Sequence, residues 1–154
     1  MQPIWSIFPK YHSHLDVPRL AGLVRELGLD TTNLVVRDGF WVTRKDFARQ
    51  VVAFVDGMKR EGLAIHFATT DFRADELADD PTPLKIMHDN GVRDFRMAWF
   101  EMEKDVRGAM QRARAAMGRM ADACAKTNMR AIYQLHHGML AGDGQGPRDV
   151  RDGP

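Results

Sequence analysis

Apolar residues along this chain follow two patterns that alternate from the N-terminus to residue 135. Short apolar runs of strand length alternate with amphipathic stretches whose apolar positions recur every three to four residues. The first amphipathic stretch follows Asp16, a residue type that caps helix N-termini, and its apolar positions have helical spacing. They are Leu20, Leu23, Val24 and Leu27. The pattern predicts four helices and five strands, the strands at residues 4–8, 33–37, 64–69, 95–99 and 130–135.

Three glycines mark the ends of amphipathic stretches. Gly28, Gly62 and Gly91 each precede an apolar run, at intervals of 34 and 29 residues. Glycine adopts the left-handed conformation that ends many helices, so each glycine is predicted to stop a helix before a new strand. An interval of this length matches one strand–helix unit. Repeated units of this kind form parallel sheets, whose ligand sites lie beyond the carboxyl ends of the strands.

Two of the predicted helices carry long apolar stripes. The helix before Gly62 places five large residues on one face: Phe47, Val51, Phe54, Val55 and Met58. The longest helix places a methionine-rich stripe on one face: Val106, Met110, Ala113, Met117, Met120, Ala121 and Cys124. We interpret both stripes as surfaces that pack against the sheet.

Strict alternation of strands and helices is compatible with two architectures that have parallel strands. One is an open, doubly wound sheet of five strands, and the other is the first part of an eight-unit barrel. A nucleotide-binding open sheet predicts a glycine-rich turn after the first strand, and residues 9–12 contain no glycine. The folded domain is predicted to span residues 1–140. Residues 141–154 lack an apolar period and are predicted to be a disordered tail.

Composition limits the possible partners and compartments. The chain has 154 residues and a formal net charge of +1, which gives no electrostatic reason to expect nucleic acid or an anionic membrane as a partner. No stretch approaches the ~20 apolar residues that span a bilayer, and no signal peptide is visible, so we expect a cytoplasmic protein. The single cysteine, Cys124, excludes an internal disulfide and is predicted to be a small apolar group on a helix.

Polar side chains follow all five predicted strands and would lie on one rim of a parallel sheet. Lys10, Arg37 and His136 donate hydrogen bonds to hydroxyl, carbonyl and phosphate oxygens, so they suit a polyhydroxylated or anionic ligand. Any parallel sheet also exposes polar residues where its strands emerge, so this clustering alone is not specific. Arg96 lies inside a predicted strand and must reach either a salt-bridge partner or the ligand.

Segments at these strand ends carry a family resemblance. They are Phe8-Pro9-Lys10, Val35-Val36-Arg37-Asp38-Gly39, Ala68-Thr69-Thr70-Asp71, Phe95-Arg96-Met97 and Tyr133-Gln134-Leu135-His136-His137-Gly138. In this order, the chain resembles the sugar phosphate isomerase/epimerase family of xylose-isomerase-like TIM barrels. The resemblance implies an incomplete (β/α)8 barrel, with parallel strands in the order 1-2-3-4-5. It also implies proton transfer between adjacent carbons of a sugar or sugar phosphate, assisted by a divalent metal (Mn2+, Mg2+, Co2+ or Zn2+).

With this resemblance, eight residues become candidates for the site. The expected substrate-binding residues are Lys10, His12, Arg37, Arg96, Trp99 and His137, and the expected metal ligands are His136 and Gln134. Gln134 stands where the family commonly has a metal-binding glutamate, and no catalytic base is assigned. Because the family's later strands have no counterpart here, we expect a catalytic domain that is inactive alone. We expect this domain either to self-associate through strand five or to be marginally stable and prone to aggregation. Alternatives are a lyase that dehydrates a keto-inositol, or a sugar-binding protein that is not an enzyme.

Overall fold

A computed structural model describes residues 3–140, which fold into short parallel strands flanked by helices. The strands are β1 (Ser6–Ile7), β2 (Thr31–Thr32), β3 (Leu34–Val36), β4 (Phe67–Thr70), β5 (Asp94–Arg96) and β6 (Arg130–Ile132). The helices are α1 (Val17–Glu26), α2 (Phe47–Arg60), α3 (Ala74–Asp79), α4 (Thr82–Asp89) and α5 (Val106–Thr127). None of these helices is long and apolar enough to cross a membrane.

The prediction of one parallel sheet in the order 1-2-3-4-5, as part of an incomplete (β/α)8 barrel, is wrong. The strands form two parallel sheets, β1-β2 and β3-β4-β5-β6. The predicted second strand starts earlier than expected and is interrupted at Asn33, so that β2 pairs with β1 and β3 pairs with β4.

The interruption at Asn33 has a physical cause in its neighbours. The Asn33 backbone N–H donates to the carbonyl oxygen of Ile7 at 3.0 Å, and its side-chain Oδ1 accepts from Ser6 Oγ at 2.7 Å. On the other side, the Thr31 hydroxyl donates to the carbonyl oxygen of Ala64 at 2.5 Å. Asn33 thus bonds to the β1 segment, the backbone pairing with β4 begins only at Leu34, and the two sheets stay separate.

The helix ends agree with the sequence. Asp16 caps α1, its Oδ1 accepting from the Arg19 N–H at 3.0 Å. Gly28, Gly62 and Gly91 have φ values of 65°, 80° and 89°, so the predicted glycine stops are confirmed. Helix α3 was not predicted, because this six-residue helix is rich in aspartate and glutamate and lacks an apolar period.

The core lies between the helices and one face of the four-stranded sheet. Leu34, Val36, Ala68 and Phe95 are fully buried on that face. The predicted apolar face of α2 is buried, whereas only part of the predicted α5 stripe is. Since side chains alternate across a strand, the opposite face of the sheet carries the intervening residues, which include the polar candidates.

Strand β6 lies at the edge of the four-stranded sheet. It pairs with β5 only, among the residues described, and is shorter than the predicted strand 130–135. Self-association through this edge stays a prediction. Residues 141–154, for which we predict a disordered tail, lie outside the described part of the chain.

Candidate functional site

A cavity of about 430 Å3 lies at the carboxyl ends of the strands, on the face of the four-stranded sheet that is turned away from the helices. Segments that follow or belong to β1, β3, β4, β5 and β6 all contribute side chains to it. Its lining residues are Phe8, Lys10, Asn33, Arg37, Phe67, Thr69, Arg96, Trp99, Ile132, Gln134 and His136.

Strand alternation explains how these side chains reach the cavity. Leu34 and Val36 point into the helix-facing core, whereas Asn33 and Arg37, one residue to either side of β3, line the cavity. Every second residue of a strand faces the same side. The same period places Phe67 and Thr69 of β4 in the cavity, and Ile132, Gln134 and His136 along the β6 segment.

Arg96 is the most deeply buried charged residue in the cavity wall, with 4% of its surface exposed. Its Nη2 donates to the carbonyl oxygen of Thr70 at 2.8 Å, and its Cζ lies 4.2 Å from the centre of the Trp99 ring. Its Nε and Nη1 are buried and have no hydrogen-bond partner among residues 3–140. Burial of a guanidinium with unpartnered N–H groups is unfavourable, so these donors are suited to an anionic ligand.

Electrostatic interactions in the cavity are dominated by positive charge. Burial lowers the pKa of Arg96, the nearby charge of Arg37 lowers it further, and Asp71 acts in the opposite direction. An arginine stays protonated in proteins, so the two guanidinium groups repel each other in the unliganded state. Lys10 adds a third positive side chain to the wall. An anion bound between them would relieve this repulsion.

Trp99 connects the ends of β5 and β6. One contact of its ring is the guanidinium of Arg96, and another is the His136 ring, whose centre lies 4.5 Å away. Its Nε1 donates to the carbonyl oxygen of Gln134 at 3.0 Å. His136 Nδ1 lies 3.0 Å from the His137 carbonyl oxygen, which can only accept, so Nδ1 carries the proton in that bond. His136 Nε2 is then the ring atom able to accept a proton.

The donor set does not fit the divalent metal that the resemblance implies. Within residues 3–140, no group of three or more histidine, cysteine, aspartate or glutamate side chains could hold a metal ion. His136 and Gln134 both line the cavity, but they share it with Arg96, Arg37 and Lys10, whose charges repel a cation. An amide oxygen is also a weaker ligand for a hard cation than a carboxylate.

Six of the eight candidate residues meet in this cavity. They are Lys10, Arg37, Arg96, Trp99, Gln134 and His136. His12 and His137 are not among the lining residues; His12 is half-buried, with its ring 6.4 Å from that of His14. Sequence reasoning missed Phe8, Asn33, Phe67, Thr69 and Ile132. A signal was available for Phe8, Asn33 and Ile132, because each lies an even number of positions from a predicted site residue of its own segment. The segment of Phe67 and Thr69 contained no predicted site residue.

A larger cavity of about 490 Å3 lies between α3 and α5, and it is a weaker candidate. Much of its wall is alanine from α5, and several of its charged residues already pair with one another. Arg73 bonds Asp75 at 2.8 Å, and Arg112 bonds Glu103 at 2.7 Å. These four charged groups are thus satisfied by one another, unlike the buried donors of Arg96.

Comparison with known proteins leaves the site's geometry as the basis for a function: no protein-family model matches this chain, and no curated protein matches it significantly.

Proposed function

We propose that the cavity binds a small polyhydroxylated anion, such as a sugar phosphate or a sugar acid. The observation that carries this proposal is Arg96, a buried guanidinium in the cavity wall with two nitrogens that have no partner in the described part of the chain. Arg37 and Lys10 supply further positive charge to the same cavity. Charge-assisted hydrogen bonds to an anion are about twice as strong as neutral ones, so these residues would contribute most of the affinity.

The neutral polar residues of the cavity favour a ligand with several hydroxyl groups. The side chains of Asn33 and Gln134 each carry a donor and an acceptor, and the Thr69 hydroxyl is both. Hydroxyl groups of a carbohydrate also donate and accept, so they can satisfy such residues. The volume of about 430 Å3 lies within the usual range for small-molecule sites.

Calorimetric titration tests this proposal with matched ligands. Fructose 6-phosphate and glucuronate should bind, and fructose should bind at least tenfold more weakly than its phosphate. Arg37→Gln should weaken fructose 6-phosphate binding by about 10- to 100-fold, the range expected for hydrogen bonds to a charged group. Arg60→Gln, on the exposed surface of α2, removes the same charge outside the cavity and should leave affinity unchanged. Equal loss in both variants, or no binding of either anion, would contradict the proposal.

A second candidate function is sugar isomerase or epimerase activity, with His136 as the proton acceptor. It is favoured by the Nδ1 bond to the His137 carbonyl, which leaves Nε2 to take a proton from a carbon beside a carbonyl. A lyase would begin with the same proton abstraction. A cytoplasmic location fits soluble sugar substrates and belongs to this proposal.

Deuterium exchange separates turnover from binding. In D2O, fructose 6-phosphate should exchange the hydrogen beside its carbonyl in the presence of the protein, detected by NMR. His136→Ala should abolish this exchange while calorimetry still shows binding. Binding without any exchange would instead identify a sugar-binding protein that is not an enzyme.

A further inference from the structure

We infer that Arg37 and Arg96 together form a subsite for a phosphate dianion, which holds the charged end of the ligand. This inference rests on the proposed function and specifies it, because a sugar acid would place a carboxylate at the same position. Both arginines line the cavity, and Arg96 is almost completely buried there.

The charges at the subsite match a dianion. Three positive side chains, Lys10, Arg37 and Arg96, line the cavity, and Asp71 is a carboxylate whose charge acts on Arg96. The net charge of this group is therefore +2. A carboxylate would neutralise half of it, whereas a phosphate dianion or sulfate would neutralise all of it.

The hydrogen-bond geometry of Arg96 also favours phosphate. Its Nη2 is already bonded to the Thr70 carbonyl oxygen, which leaves Nε and Nη1 without acceptors in the described residues. A planar carboxylate binds most strongly to two N–H groups of one guanidinium that point in the same direction. Each such pair in Arg96 includes Nη2, which already donates to Thr70. A tetrahedral phosphate has oxygens in several directions and can accept from Arg96 and Arg37 at once.

The fluorescence of Trp99 should respond to anion binding at this subsite. Nε and Nη1 of Arg96 are shielded from solvent, and the Trp99 ring lies over the guanidinium. An anion bound at these nitrogens would place negative charge beside the Trp99 ring, which also contacts His136. Anion binding should therefore change the fluorescence of Trp99.

The direct test titrates the protein with inorganic sulfate, inorganic phosphate or acetate at constant ionic strength, and follows tryptophan fluorescence and calorimetry. Sulfate and phosphate should produce a saturable change, and acetate should bind at least tenfold more weakly. Arg37→Gln should weaken sulfate binding by tenfold or more, whereas Arg60→Gln should stay within twofold of the parent. Trp99→Phe should remove the fluorescence change while calorimetry still detects sulfate. Acetate binding as tightly as sulfate, or unchanged sulfate affinity in Arg37→Gln, would overturn the inference.

Two further measurements separate this inference from a structural role and from the proposed function. Arg37→Gln removes the repulsion at Arg96, so it should raise the melting temperature of the protein without ligand and weaken sulfate binding. A lower melting temperature with unchanged sulfate affinity would show that the role of Arg37 is structural. If sulfate binds but fructose 6-phosphate binds no more tightly than inorganic phosphate, the result would support the subsite and contradict the proposed function. Equal affinity for fructose 6-phosphate and glucuronate would support that function and overturn the subsite.

Discussion

Helices α2 and α5 both carry long apolar stripes, yet they attach to the core in opposite ways. In α2 the large residues of the predicted stripe face inward, and Phe54, for example, is 2% exposed. In α5 the exposed residues include Val106, Met110 and Met117 from the predicted stripe. The buried face of α5 is made mostly of alanine: Ala109, Ala113, Ala116, Met120, Ala123 and Cys124.

The difference shows that the size of apolar side chains does not by itself decide which face of a helix is buried. Large residues on α2 fill space between helix and sheet, and the Phe54 ring packs 5.6 Å from that of Trp41. Away from the cavity between α3 and α5, small residues allow α5 to lie close to the core, and Ala123 and Cys124 are buried there. The packing of α2 should therefore depend on large buried side chains, whereas the packing of α5 should depend on small side chains at its buried positions.

The strongest test of this contrast removes a large side chain from each helix. Phe54→Ala should lower the free energy of unfolding by about 3–5 kcal/mol, because it leaves a cavity in the core. Met110→Ala, at a position that is 47% exposed, should change it by about 0.5 kcal/mol or less. Urea denaturation of both variants measures the difference, and equal losses would remove the distinction between the two helices.

A larger side chain on the buried face of α5 should destabilise the protein. Ala123→Leu inserts a larger side chain at a buried position of α5 and should cost about 1–3 kcal/mol through overpacking. Ala121→Leu, two positions earlier and exposed, is the matched control and should stay within about 0.5 kcal/mol of the parent. A stable Ala123→Leu variant would show that α5 does not pack closely.

The two helices also show what the sequence can and cannot predict. The face of α2 is predictable because its large apolar residues other than Val52 lie on one side. Alanine contributes little to such a pattern, so the predicted buried face of α5 was set mainly by its methionines. That face is partly exposed in the structure. Helix ends were predictable because the residue that ends the helix adopts a left-handed backbone conformation, which glycine adopts readily.

At the site, alternation within strands was the predictable part. Arg37, Gln134 and His136 reach the cavity as their positions in the strands indicate. Alternation along the predicted strand 95–99 puts Arg96 and Trp99 on opposite faces, but β5 ends at Arg96, and both residues line the cavity. The division of the sheet at Asn33 depends on bonds to Ser6 and Ile7, which are distant in sequence. Such long-range contacts leave no local pattern to detect.

A smaller effect is expected at the C-terminal ends of the two helices. Gly62, after α2, has a φ of 80°, and no atom of the described residues lies within 4 Å of the position that a Cβ would occupy. Gly62→Ala should therefore cost about 1–2 kcal/mol from backbone conformation alone. Asn128, after α5, has a φ of 52°, which asparagine tolerates, so Asn128→Gly should change stability by about 0.5 kcal/mol or less. Thermal melts monitored by circular dichroism compare the two, and a neutral Gly62→Ala would contradict the argument.

The smallest effect is expected at the N-termini, where the two helices again differ. Asp105 caps α5, with its Oδ1 accepting from the Gly108 N–H at 3.0 Å, whereas Asp46 makes no capping bond at α2 and pairs with Arg49 at 2.8 Å. Asp105→Ala should cost about 1 kcal/mol, and Asp46→Ala about 0.5 kcal/mol or less, because an exposed ion pair contributes little.

Hydrogen exchange localises this last effect. In Asp105→Ala the Gly108 amide should exchange faster, because it loses its acceptor, while Asp105→Asn keeps a side-chain oxygen and should retain most of the protection. Asp46→Ala should leave amide exchange in the first turn of α2 almost unchanged. If both alanine variants increased exchange to the same extent, the first turns of α2 and α5 would be held in the same way, and the contrast between the helices would be confined to their buried faces.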